Sequence, residues 1–231
     1  MRRPARVMAH VQDSGHGVTA RMERDVGRRE WPGALARPVV SVEDGRTLLR
    51  VGGVIQSVAV DERHEPDVWD AMLPLRPPEN ALILGLGGGT TATLLTRRFG
   101  AVPVLGIERD PRIARLAQER FGLAALSNVQ VMIADAFAFL PRCPTHFDLI
   151  CVDLYVAGKL EHGVFGTDFL RAVGGALTPE GTATFNLWRS PYLADHLRRL
   201  RRVLDVRDII EVGDNIVAHC DQRPLVTILP R

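Results

Sequence analysis

The sequence is poor in cysteine, in lysine and in long apolar runs, and each shortage excludes something. Its three cysteines, Cys143, Cys151 and Cys220, form no C-x-x-C pair and are odd in number. That argues against a disulfide framework or a zinc knuckle and for a reducing compartment. Its one lysine is Lys159; every other cationic side chain apart from histidine is arginine, which reads as coding bias and not as function. No apolar run reaches the roughly 18–20 residues that a bilayer span requires, so no membrane is expected. The seven histidines show no H-x-x-x-H or similar ligand spacing, so no metal is expected either. A net charge of +2 is too small to imply nucleic acid by itself. No apolar segment follows Met1-Arg2-Arg3, and the expected compartment is the cytoplasm.

What is present is an ordinary globular balance, 46% hydrophobic and 24% charged over 231 residues. It excludes wholesale disorder and fits one large domain with a small appendage. Three stretches are expected. Residues 1–33 form a basic N-terminal arm, a solvated tail because no aromatics interleave its arginines. Residues 34–76 form a β-hairpin domain and a linker helix. There the β-branched runs Pro38–Val42, Thr47–Val51 and Val54–Val60 are parted by two tight turns, and Trp69 and Met72 mark the core face of a short helix. Residues 77–231 form a nucleoside-binding domain of alternating strands and helices. Strands are expected at Ala81–Leu84, Pro103–Ile107, Val129–Ile133, Phe147–Val152 and Gly181–Phe185, then a hairpin at Val206–Val212 and Ile216–Ala218, with a last strand at Pro224–Leu229. Helices are expected at Thr90–Phe99, Pro111–Phe121, Ala136–Leu140 and Asp168–Leu177, and from a Ser190-Pro191 cap to about Leu204. The pattern predicts an α/β fold, a mostly parallel sheet covered on both faces with its last hairpin antiparallel, preceded by a small antiparallel sheet.

In such sheets ligands bind beyond the carboxyl ends of the strands. After the first strand stands Gly85-Leu86-Gly87-Gly88-Gly89-Thr90, which fits G-x-G-x-G; the dinucleotide fingerprint would need glycine at Thr90. After the second stands Glu108, suited to ribose hydroxyls. After the third stands Asp135, suited to an adenine amino group or to capping the next helix, while Ala136 offers a backbone N–H. After the fourth stands Asp153, followed by a glycine-containing loop to Gly166. Four candidate groups at four successive strand ends are more specific than any one of them.

These residues resemble the spermidine synthase (polyamine aminopropyltransferase) family over roughly residues 36 to 220. Val51-Gly52-Gly53-Val54-Ile55-Gln56 is similar to its L-D-G-x-x-Q hairpin and Gly85–Thr90 to its G-G-G-D-G-G loop. Glu108-Arg109-Asp110-Pro111 is similar to E-x-D-P, Ala134–Leu140 to G-D-G-F-x-F-L, and Val152-Asp153 to the start of D-[ST]-[ST]-D-P. The resemblance implies the class I methyltransferase (Rossmann-like) fold with seven strands, and a homodimer. It implies a cofactor site of Gln56, Gly85, Leu86, Gly87, Gly88, Gly89, Glu108, Arg109, Asp135, Ala136 and Asp153. Asp153 would be the catalytic base or an orienting group, and Tyr155 would line the pocket of a small-molecule acceptor.

The departures from the family also carry meaning. Gly88 stands where the family loop has an Asp facing the amine of decarboxylated S-adenosylmethionine. Val156 replaces the second Asp of D-x-x-D, and Arg63-His64-Glu65 replaces Tyr-His-Glu. These departures point to S-adenosylmethionine and methyl transfer, as in the family's methyltransferase-like branch. Three other readings stand beside it: an aminopropyltransferase using decarboxylated S-adenosylmethionine, a nucleoside-binding protein without catalysis, and an NAD-dependent oxidoreductase disfavoured by Thr90. The paired arginines Arg198, Arg199, Arg201 and Arg202 read as a solvated helix face, Lys159 as a surface residue, and Trp188 as packing or as a border of the pocket.

Overall fold

The structure, a computed structural model, describes residues 36–156 and 158–223. The arm expected over residues 1–33 and the strand expected at Pro224–Leu229 lie outside the described residues.

Three short strands come first: β1 (Pro38–Glu43), β2 (Arg46–Val51) and β3 (Val54–Val58). They pair antiparallel in the order β1-β2-β3. The turns fall where the sequence places them, at Asp44-Gly45 and Gly52-Gly53, all four with positive φ. A hairpin of two-residue turns needs that backbone, and glycine adopts it without strain. The helix α1 (Val68–Ala71) follows, capped by Asp67 in a reciprocal arrangement with Asp70. Trp69 and Met72 are buried beside it, at 7% and 0% exposure.

The larger sheet holds seven strands: β4 (Ala81–Leu84), β5 (Val104–Glu108), β6 (Val129–Ile133), β7 (Phe147–Val152), β10 (Leu177–Trp188), β11 (Leu204–Val212) and β12 (Asn215–Gln222). Between β7 and β10 lies a small hairpin of β8 (Tyr155–Val156) and β9 (Lys159–Leu160). The order across the large sheet is β11-β12-β10-β7-β4-β5-β6. From β10 to β6 all neighbours are parallel; β12 pairs antiparallel with both β10 and β11. Every residue of central β4 is buried. Successive strand side chains point to opposite faces, so both faces of the sheet are covered. The covering helices are α2 (Thr90–Phe99), α3 (Pro111–Arg120), α4 (Ala136–Phe139), α5 (Thr167–Ala176) and α6 (Leu193–Val203).

Local chemistry sets the helix starts. Asp110 caps α3 through the Arg112 N–H, with Pro111 in the first turn; proline there loses no helical hydrogen bond. Asp135 caps α4 through the Phe137 N–H. The expected cap of α6 is displaced. Ser190 Oγ accepts from the Tyr192 N–H, and the helix starts three residues later, at Leu193, with no side-chain cap. Leu204 belongs to β11 and not to the helix. β10 is longer than expected because its pairing with β7 resumes after an irregularity between Leu177 and Thr182.

The two sheets are joined chemically. Ser57 Oγ accepts from the Gly88 N–H at 2.7 Å. Thr90 Oγ1 accepts from the Val58 N–H and donates to the Val58 carbonyl. Leu48 and Val58 of the small sheet share one core cluster with Trp69, Met72, Ile83, Leu95 and Leu149.

Candidate active site

The carboxyl ends of β4, β5, β6 and β7 open onto one inner cleft. Gly85, Gly87, Glu108, Arg109, Asp135, Ala136, Asp153 and Tyr155 all line it, and Gln56 of β3 joins them from the small sheet. The structure thus brings together most of the site residues expected from the sequence.

Glu108 ends β5 at 7% exposure. Its two carboxylate oxygens accept from the Gly87 N–H at 3.0 Å and the Asp110 N–H at 2.9 Å. Burial pushes its pKa up, against those hydrogen bonds, which favour the charged form. The acid therefore braces the glycine loop and the turn before α3 at once. Asp135 combines two roles: one oxygen caps α4 at 2.8 Å, and the residue still lines the cleft.

The glycine loop divides into lining and supporting residues. A Cβ on Gly85 would collide with the carbonyl oxygen of Asp153, so this glycine lets the two loops touch. Leu86, at 4% exposure, packs over Gly106. Gly89 is the N-cap of α2. Gly88 corrects an expectation. Its N–H is already donated to Ser57, and a Cβ there would meet Ser57 Cβ at 2.8 Å and Phe121 Cδ1 at 3.1 Å. A side chain at 88 points into packing behind the loop and not at the cleft. The contrast drawn from Gly88 between a carboxylated and a decarboxylated donor therefore loses its geometric basis. Leu86, Gly88 and Gly89 support the wall; Gly85 and Gly87 form it.

Asp153 occupies the junction of the inner cleft with a second, outer cleft, shared through Gln56, Asp153 and Tyr155. The outer cleft runs between the small sheet, α1 and the ends of β10 and β12. Asp153 Oδ1 accepts from Asn186 Nδ2 at 2.8 Å, and Oδ2 accepts from Trp69 Nε1 at 3.2 Å. Burial raises its pKa to about 6, and these two donors hold it from rising further. Tyr155 Oη donates to the Asn186 carbonyl at 3.3 Å, and burial pushes its phenol pKa up.

Several partners were not legible as such in the sequence. Trp69 is a core residue, but its indole N–H reaches Asp153 across 84 positions. The amide of Asn186, in β10, is the other partner of Asp153. Trp188 is 44% exposed and borders the outer cleft, the second of the two roles its position allows. Glu161 stands 3.6 Å from Arg109 across the inner cleft. The Arg63-His64-Glu65 segment lies elsewhere: His64 bonds Asp70 at 2.8 Å and Arg63 bonds Asp61 at 2.9 Å. Val156 lines the inner cleft and brings no charge. Lys159 is exposed on β9. Arg198 and Arg199 pair with Asp195 on an exposed helix face. Among the described residues, no cluster of His, Cys, Asp and Glu could hold a metal ion, and no helix is long and apolar enough to cross a membrane.

No protein-family model matches the chain. The polyamine aminopropyltransferase of Oceanobacillus iheyensis is 33% identical over 144 residues, covering 58% of this chain and 28% of that protein. The polyamine aminopropyltransferase of Nitrosomonas europaea is 29% identical over 169 residues, covering 68% and 52%. A probable spermidine synthase from Corynebacterium glutamicum superposes with a TM-score of 0.68 at 17% identity, over 83% of this chain and 81% of that one. The chain is spermidine synthase-like. Its seven-stranded sheet is of the class I methyltransferase type. This spermidine synthase-like chain spans about a quarter of the first relative and half of the second.

Proposed function

We propose that the protein is a transferase acting on an amine with an S-adenosyl sulfonium donor, and that the unit moved is aminopropyl, from decarboxylated S-adenosylmethionine. The observation that carries this reading is Asp153, a carboxylate held between two clefts with its pKa raised to about 6. The names of the two curated relatives support the choice of unit. The orientation of Gly88 removes one of the reasons for expecting methyl transfer.

The inner cleft fits an adenosyl group. Glu108 presents a buried carboxylate at a strand end, the position from which an acid meets ribose hydroxyls, and Asp135 and Ala136 border the adjoining wall. Gly85 and Gly87 bring backbone to the cleft wall. When bound, the donor supplies an electrophilic carbon next to a sulfonium. Asp153 does the rest of the chemistry assigned here. Ionised, it takes a proton from the acceptor's ammonium and leaves a lone pair free, as a general base. Its raised pKa makes it a better base than an ordinary carboxylate, and Trp69 and Asn186 keep it aimed. Positioning of the amine in the outer cleft supplies much of the remaining acceleration.

A second reading, methyl transfer to an amine from S-adenosylmethionine, is favoured by Val156, which lines the inner cleft with an apolar side chain at the position of the second Asp of D-x-x-D. Both readings use the same clefts and the same Asp153; they differ in donor. Calorimetry with S-adenosylmethionine, its decarboxylated form and methylthioadenosine separates them, followed by mass spectrometry of an amine product. Tighter binding of the decarboxylated donor and a gain of aminopropyl are expected. A preference for the carboxylated donor with a gain of methyl transfers the conclusion to the second reading. Failure to bind all three removes both.

A further inference from the structure

We propose that Asn215, at the first position of β12, is a positioning residue that fixes which end of the Asn186 amide faces Asp153. The inference rests on the reading of Asp153 as the base. Asn215 Nδ2 donates to Asn186 Oδ1 at 2.8 Å, and Asn186 Nδ2 donates to Asp153 Oδ1 at 2.8 Å. An asparagine amide is a donor at one end and an acceptor at the other. A half-turn about its last bond exchanges them at almost no steric cost. In the reversed state Asn186 would set a carbonyl oxygen against the carboxylate, replacing an attraction by a repulsion. Asn186 is 6% exposed, so water cannot readily replace the lost bond. Trp69, the other partner, has only a donor to offer and admits no such reversal. The orientation therefore hangs on what meets Asn186 Oδ1, and that is Asn215.

The backbone suits Asn215 to this task. It pairs with Trp188 of β10 on one side and with Val212 of β11 on the other. A side chain carried by a strand paired on both edges is placed more rigidly than one on a loop. The antiparallel run of β12 brings its first residue to the same end of the sheet as the last residues of its neighbours. Other titratable groups near Asp153 are the Cys151 thiol and the Tyr155 phenol. From α1 it meets the Trp69 indole and from β10 the Asn186 amide. Charged groups lining the outer cleft are Glu43, Asp44, Arg46, Arg50 and Asp67, of which Glu43 and Arg50 form an ion pair.

The test is a titration of the Asp153 carboxyl carbon by NMR in the full chain, which needs neither donor nor acceptor. Wild type is expected to titrate near pH 6. Asn215→Leu, which removes the donor and adds no charge, should raise that midpoint by about one pH unit, the size of one hydrogen bond to a charged group. Asn215→Gln, which keeps an amide, should bring it back toward wild type. Asn215→Ala, small and uncharged, should raise the midpoint too and covers the case in which the leucine variant does not fold. Midpoints equal to wild type in folded Leu and Ala variants overturn the relay. A wild-type midpoint in the ordinary carboxylate range instead sinks Asp153 as the base, and the relay is then judged on the differences among variants.

Discussion

The hydroxyl of Thr90 bonds both backbone groups of Val58, accepting from its N–H at 3.0 Å and donating to its carbonyl at 2.7 Å. Both residues are 3% exposed. One side chain at the start of α2 thus stands in for a missing strand along the edge of β3. It does so at the position where a dinucleotide-binding loop would carry glycine.

Thr90→Val keeps the shape and removes the hydroxyl. It leaves two buried backbone groups without that partner, at a cost of about 1–3 kcal/mol. Urea unfolding should show a lower midpoint with an unchanged slope. A variant as stable as wild type would mean that Val58 finds other partners.

Asp153 should make both stability and activity depend on pH, in opposite senses. Its folded pKa, about 6, lies above the ordinary 3.8, so the folded protein holds this proton more tightly than the unfolded chain. The stability it contributes is complete below the ordinary value and is lost as pH rises to about 6. The loss is about 3 kcal/mol, one pKa step being about 1.4 kcal/mol. Activity needs the ionised form and should rise through the same window. Asp153→Asn should flatten the stability slope and lower turnover about 100-fold or more. Denaturant melts at pH 4 and pH 7, with product formation measured alongside, check both halves.

Gly88→Ala should cost about 1–3 kcal/mol through overpacking against Ser57 and Phe121. Gly88→Asp should show the same or a larger loss and leave the preference between donors unchanged. A selective shift toward the decarboxylated donor in a stable Gly88→Asp protein would return that position to the cleft.

Glu108→Ala should weaken methylthioadenosine by about 1.5–3 kcal/mol, the scale of a hydrogen bond to a charged group. The side chain also anchors the Gly87 and Asp110 amides. Glu108→Gln, which still offers one acceptor, should lose less. Equal affinities by calorimetry would take Glu108 out of the ligand's contacts.

Much of the frame was legible because its signals are local. Ala81–Leu84, Val129–Ile133 and Phe147–Val152 are bounded apolar runs, and the structure forms strands over those same residues. Strand ends in a parallel sheet gather at one edge, so Glu108, Asp135 and Asp153 could be assigned to a common cleft before any coordinates. What escaped depends on direction or on distant pairing. The β8–β9 hairpin has two residues per strand, too few for any periodicity. Gly88 was legible as a glycine, but the direction of its missing side chain is set by Ser57, 31 positions away. Trp69 was assigned to the core from its spacing with Met72, and the bond from its indole edge to Asp153 spans 84 positions. The Ser190-Pro191 pair signals a cap by residue type, but α6 starts only at Leu193.

The reversed run of β12 divides the large sheet into two exchangeable halves. On one side of β7, the loops after β4, β5 and β6 build the inner cleft; on the other, the end of β10 and the first residue of β12, Asn215, border the outer one. Asp153, at the end of β7, is the seam between them. Changes at Trp188 and along the small sheet would reshape what the outer cleft admits without touching the strand ends of the inner one. A scaffold divided in this way can change acceptor over evolutionary time while its donor half stays fixed, and a designer could graft turns there with the same freedom.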